Sequence, residues 1–156
     1  MTTDLARVTT VDLATRAALV DLNARFAWAL DLHDWDALPD ILAPDLYYLS
    51  GEREFHGADA LIESFRARDE ARTTRHGLGN LLLTASGDGV VTGRGSWHTF
   101  ARNGAGAEGV PLYMVADFHD TYVHHDPGAW RIARRVIVPV FRDRTRAPAT
   151  KEDQDR

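Results

Sequence analysis

Residues 11–32 run without Gly or Pro and are rich in Ala and Leu, a pattern that predicts a long helix with Asp12 near its start. At ~100° per residue, Leu13, Ala17, Val20, Ala24, Ala27 and Asp31 share one sector, small in volume, which should face the interior. A second helix is expected from Asp34, a capable N-cap, through Trp35, Leu38, Ile41 and Leu42 to an end near Pro44. Residues 47–50 and 53–56 read as a short strand pair around Ser50-Gly51. Apolar positions 61, 62 and 65 among charges predict a third, amphipathic helix over 58–71. The period then falls to two, and strands are expected over 76–85, 90–102, 112–123 and 130–141. They are separated by Ser86-Gly87-Asp88-Gly89, a glycine-rich loop over 103–109, and residues 124–128. Helices first and an antiparallel meander afterwards make the chain α+β, not alternating βαβ, and neither GxGxxG nor GxxxxGKS occurs.

Composition narrows the picture. A chain of 156 residues suits one domain, expected over 11–143, with polar, flexible termini at 1–10 and 144–156. With no cysteine, thiol nucleophiles, thiolate metal sites and disulfides are excluded, and cytoplasm is the default compartment. No stretch approaches the ~18 apolar residues of a membrane span. Eighteen basic against 23 acidic residues give a net charge of −5, which leaves nucleic-acid binding without electrostatic support. The arginines at 131, 134, 135, 142, 144 and 146 read as a modest basic edge.

Candidate chemistry centres on Asp31 and His76. Asp31 continues the inward sector of the first helix, and a carboxylate there needs a partner to offset its desolvation; otherwise it is simply wet in a frayed last turn. His76 opens a strand, and alternation puts it on one face with Leu78, Asn80 and Leu82. A buried Asp would hold its ring in one tautomer and make it a general base; the bland reading is a histidine satisfied by a backbone carbonyl. His98 and His119 lie within strands and can face either way. His33 with Asp34 and Asp36 does not converge, because adjacent helix residues do not face one another, and nothing resembles HExxH, so neither a metal nor another cofactor is expected.

Four ordered segments carry a resemblance: FAWALDLHDWDAL over 26–38, ILAPD over 41–45, TRH over 74–76 with Asn80, and GAWRIARR over 128–135. Over residues 12–142 the chain resembles the SnoaL-like branch of the nuclear transport factor 2-like superfamily. The resemblance implies a cone-shaped α+β barrel: a curved, mostly antiparallel sheet around a pocket, closed by three N-terminal helices. Members include scytalone dehydratase, steroid isomerases, a bile acid dehydratase, hexachlorocyclohexane dehydrochlorinase, polyketide cyclases and non-catalytic subunits. In the dehydratase and dehydrochlorinase members, an Asp near the end of the first helix pairs with a His at the start of the third strand, positions that Asp31 and His76 match. Two tyrosines of scytalone dehydratase are matched here by Leu30 and Ser50, so its substrate does not carry over. Tyr48, on the strand face of Ser50, is the alternative hydroxyl.

These readings combine into an expected cofactor-independent lyase of the dehydratase type, acting on a small apolar, cyclic or polyketide-like molecule. His76 would remove a proton, Asp31 would orient it, and Tyr48 or His98 would act on the oxygen. Leu78, Leu82, Trp97, Met114 and Phe118 would wall the pocket, with Asn80 facing it. A cyclase or isomerase is the first alternative. A ligand-binding or assembly subunit, its cone filled or unreactive, is the second. Apolar residues on both faces of the last strand, Ile132, Val136 and Val138 against Ala133, Ile137 and Phe141, predict a homodimer, with a trimer as the variant. Neither nucleic acid nor membrane is an expected partner.

Overall fold

Asp12 starts the first helix by accepting hydrogen bonds from the Thr15 backbone N–H and hydroxyl, both at 2.8 Å, satisfying a donor that the first turn leaves without a partner. Helix α1 (Leu13–Asp31) follows in a computed structural model that describes residues 9–104, 109, 111–125 and 128–149. It ends in a Schellman closure. His33 takes the left-handed conformation (φ 57°), its N–H reaches the Leu30 carbonyl at 3.4 Å, and the Asp34 N–H reaches the Ala29 carbonyl at 2.9 Å.

The buried face of α1 is built from Leu19, Leu22, Asn23, Phe26, Ala27 and Leu30. This corrects the expected small-residue sector: Leu13 is 85% exposed, and Ala17, Val20 and Ala24 also face out. Larger Leu and Phe side chains gain more by leaving water than alanines do, and they decide the helix's rotation. Asp31 is nonetheless covered, because it lies at the edge of that face where β3 crosses the helix end.

A 3₁₀ turn over Trp35–Asp40 replaces the expected second α-helix. The remaining elements are β1 (Leu42–Ser50), β2 (Arg53–His56), α2 (Ala58–Arg66), β3 (Arg72–Gly87), β4 (Val90–Asn103), β5 (Leu112–His125) and β6 (Ala129–Arg142). Pro44 falls inside β1 and does not end a helix. It is tolerated because β1 and β6 lose register between Leu42 and Tyr47, so the ladder needs no N–H there. The strands form one sheet in the order β2-β1-β6-β5-β4-β3, with β1 and β6 parallel and every other neighbouring pair antiparallel. The fold is α+β, a curved and unclosed sheet, with α1 against β3 and β6 and α2 against β1.

One end of the interior is filled by Leu19, Leu22, Leu83, Val91, Tyr122 and Ile132. Gly93 lacks a side chain where Tyr122 needs room: a Cβ there would stand 2.7 Å from the ring. Next to this packed end lies a buried ionic network. Arg135 donates through Nε and Nη2 to the two Asp120 oxygens, each at 2.8 Å, and from Nη2 to Asn23 Oδ1 at 2.6 Å. Tyr122 donates to Asp120 at 2.6 Å and accepts from Asn23 Nδ2 at 2.9 Å.

Residues 144–149, expected to be flexible, are folded onto the domain. A 3₁₀ turn over Arg144–Arg146 leads to Ala147, whose carbonyl accepts from Asn103 Nδ2 at 2.8 Å, and the Ala149 carbonyl accepts from the Asp69 N–H. Expectations for residues 1–8 and 150–156, and for most of the 103–109 loop, lie outside the described residues.

Removing one partner of the buried pair leaves a stranded charge. Arg135→Met should therefore lower the unfolding free energy by about 3–5 kcal/mol in urea titration, and adding Asp120→Leu should restore most of it. A single-variant loss below about 1 kcal/mol would show that the pair does not carry the interior.

Candidate active site

The Schellman closure fixes where Asp31 points, in the last turn of α1 over the beginning of β3. Its Oδ1 accepts from Thr74 Oγ1 at 2.7 Å and stands 2.6 Å from His76 Nδ1, while Oδ2 accepts from the His76 backbone N–H at 3.0 Å. The carboxylate is 3% exposed and the imidazole 12%. Three donors on one buried carboxylate explain how it is tolerated away from water. A carboxylate offers no proton, so Nδ1 carries the hydrogen and Nε2 is the ring's remaining acceptor.

His76 borders a cavity of about 280 Å³ enclosed by α1, α2, all six strands and the C-terminal segment. Its apolar wall includes Phe26, Leu30, Phe65, Met114, Phe118 and Ile137. Tyr48 and Ser50 both line it, as their shared strand face requires. No hydrogen bond from the Tyr48 hydroxyl to another described residue is present. Burial pushes this hydroxyl up from its ordinary value of 10.0 against the opposing pull of Arg135 and Arg68, so Tyr48 remains a neutral donor at neutral pH.

Of the sequence-predicted wall, Tyr48, Met114 and Phe118 border the cavity. Trp97 is buried behind it, stacked on Phe118 with centroids 4.7 Å apart. It shares with Leu78, Asp31 and His76 a groove between α1 and β3. Asn80 and Leu82 face the other way, beside Arg94, Ser96 and Asp117 on the outer sheet surface. The cause is a β-bulge. His76 pairs with Thr99 and Leu78 with Trp97, but the next partners are Leu81 and Gly95, so one extra residue at Gly79-Asn80 inverts the alternation beyond it. His98 is also turned outward, opposite in parity to the buried Trp97 and Thr99. Its ring covers Gly77, where any Cβ would collide with it, and meets the edge of Phe100.

The sequence reading missed Arg53, Arg68, Arg72 and Arg142, all of which border the cavity. Two had a signal. Arg68 follows Leu61 and Phe65 at helical spacing, and Arg72 shares the alternation of Thr74 and His76. Burial pushes Arg68 down to about 10; Tyr48 opposes this, and Arg72 and Arg53 add smaller repulsions in the same direction as burial. Among the described residues, no group of three or more His, Asp or Glu is arranged to hold a metal, and no helix is long and apolar enough to cross a membrane.

Similar folds occur in several solved structures. A variant of Rv3472, a protein of unknown function from Mycobacterium tuberculosis, is 24% identical, with 81% of this chain and 72% of that one covered at a TM-score of 0.71. Aln2 from a Streptomyces species is 17% identical over 84% and 94%, at 0.74. A type 2 hexachlorocyclohexane dehydrochlorinase is 18% identical over 89% and 91%, at 0.69. No curated protein matches the chain. At these identities the likenesses establish the fold alone, but the sequence pattern of the SnoaL-like domain matches residues 11–136, and the chain therefore belongs to the SnoaL-like domain family.

Proposed function

We propose that the protein is a cofactor-independent lyase that eliminates water from a small, largely apolar molecule, with His76 as the base. The observation that carries the reading is the 2.6 Å contact between Asp31 Oδ1 and His76 Nδ1 at the wall of an internal cavity. Nε2 takes a proton from carbon, the C–H electrons become the new double bond, and the C–O bond breaks. The imidazolium returns its proton to the departing hydroxyl, which leaves as water, and the ring is again neutral. Asp31 holds the ring in the useful tautomer and offsets the transient positive charge. Tyr48 donates to the oxygen on which charge develops. A cavity beside the dyad supports reaction over a filled, unreactive cone, and the dehydrochlorinase among the structural likenesses is named for an elimination.

The homodimer is likewise a proposal. Val138, Val140 and Phe141 are 47%, 54% and 67% exposed at the end of β6, and a second copy of the chain would cover them.

His76→Ala should abolish turnover, and Asp31→Asn should lower kcat by about 10³-fold or more while the fold persists. Nitrogen chemical shifts of the His76 ring should report hydrogen on Nδ1 in the parent and a mixture of tautomers in Asp31→Asn. An unchanged ring or near-full activity in that variant would remove Asp31 from the mechanism. The same variant should lose about 1–3 kcal/mol of stability through imperfectly paired buried groups.

Tyr48 gives a pH signature. Its folded-state value is raised, so the unfolded chain releases this proton first, and the associated stability is complete below about pH 10 and lost as pH rises further. Ultraviolet titration at 295 nm should show one fewer late-ionising tyrosine in Tyr48→Phe than in the parent, Tyr122 also being held back by burial and by Asp120; an equal number in both would contradict a buried donor. For the dimer, light scattering at micromolar concentration should give twice the chain mass, and Phe141→Glu should shift it toward one; a monomeric parent excludes the assembly.

A further inference from the structure

The cavity wall is chemically one-sided. Arg53 comes from β2, Arg68 from the turn after α2, Arg72 from the start of β3 and Arg142 from the end of β6, and all four border the same space. Among the described residues, no Asp or Glu borders it. Asp31 lies behind His76 and is committed to three donors.

Nor does a described carboxylate neutralise these guanidinium groups. Arg72 is 4% exposed and spends its terminal nitrogens on neutral oxygens, Asn103 Oδ1 and the Arg146 carbonyl, while its Nε has no acceptor. Arg68 lies over the Phe65 ring at 4.3 Å, and its buried Nε also lacks an acceptor. Arg53 and Arg142 rest over Phe55 and Tyr113 at 5.2 and 5.8 Å. Arg68 and Arg72 are withdrawn from water while Arg53 and Arg142 remain exposed at the rim; the two withdrawn cations lose hydration and repel their neighbours, a cost that an anion placed among them reverses. The depression of Arg68 by burial and by Arg72 and Arg53 is the same unfavourable balance seen from one group.

From this juxtaposition we infer that the substrate is a small organic acid, whose carboxylate is received by Arg68 with Arg53 and Arg72 and whose apolar body lies between them and His76. The guanidinium fork suits a carboxylate, and its planar face already stacks on an aromatic ring. A cavity of about 280 Å³ with Phe26, Leu30, Phe65 and Met114 in its wall suits an aromatic or alicyclic body. This inference rests on reading His76 as the base at that cavity and adds the class of molecule presented to it.

The test pairs benzoate, cinnamate and cyclohexanecarboxylate with their primary amides, measured by calorimetry against the intact protein. The acids should bind about tenfold or more tightly than their amides, a difference of about 1.4 kcal/mol. Arg68→Gln should erase that preference and raise the melting temperature of the ligand-free protein, because it removes a cation that no described carboxylate neutralises; a merely structural arginine would lower it. Arg68→Lys should recover part of the preference. If no acid outranks its amide, or if Arg68→Gln keeps the preference, the inference falls. His76→Ala should bind the acids with the parent's preference. Acid preference lost with His76-dependent turnover intact would overturn the substrate class alone, whereas acid preference kept with full turnover in His76→Ala would overturn the assignment of the base alone.

Discussion

The interior is organised by one ion pair. Arg135 and Asp120 sit at 0% and 1% side-chain exposure, where burial disfavours the guanidinium's charge and the carboxylate of Asp120 more than reverses that effect. Such a pair is tolerated only when its hydrogen bonds are nearly complete. Asn23 and Tyr122 supply the further bonds, Arg135 Nη1 alone of its nitrogens finds no acceptor among the described residues, and the rings of Phe26, Trp97 and Phe118 enclose the guanidinium at 4.6, 5.3 and 4.9 Å. The network thus ties α1 to β5 and β6. Along β5 it separates Met114 and Phe118 from Tyr122, and along β6 it separates Ile137 from Ile132. On one side is open space, on the other packed side chains. It backs the Phe26 and Phe118 rings that line the cavity.

Much of the order of elements was legible in the sequence because it depends on local rules. Helices before strands, the turn at Ser50-Gly51 and the four long strands follow from period and glycine placement. Period and placement also single out Asp31 and His76, which the fold brings within 2.6 Å, although the sector that turns Asp31 inward is wrong about Leu13, Ala17, Val20 and Ala24. The Schellman closure at His33 and the crossing of β3 cover the carboxylate, and neither is a matter of helical periodicity.

What escaped depends on irregularity and reach. A single extra residue at Gly79-Asn80 sends Asn80 and Leu82 to the outer surface and brings Leu81 and Leu83 in, and no alternation rule can anticipate a bulge in one strand without its partner's register. Position along the chain alone makes Arg135 and Arg142 look like parts of a modest basic edge. One is the most enclosed charge in the domain and the other borders the cavity. Long side chains from distant segments meet only after the sheet has curved, so their convergence is a property of the fold and not of any window of sequence.

The C-terminal segment has a consequence of a different kind. Ala147 and Pro148 close part of the cavity, yet they lie beyond the last strand and contribute nothing to the sheet's ladder. One part of the cavity wall is therefore set outside the sheet, while the rest is set by the scaffold itself. A change of side chain at Ala147 or Pro148 can reshape that part of the wall while leaving the dyad and the Arg135–Asp120 pair untouched.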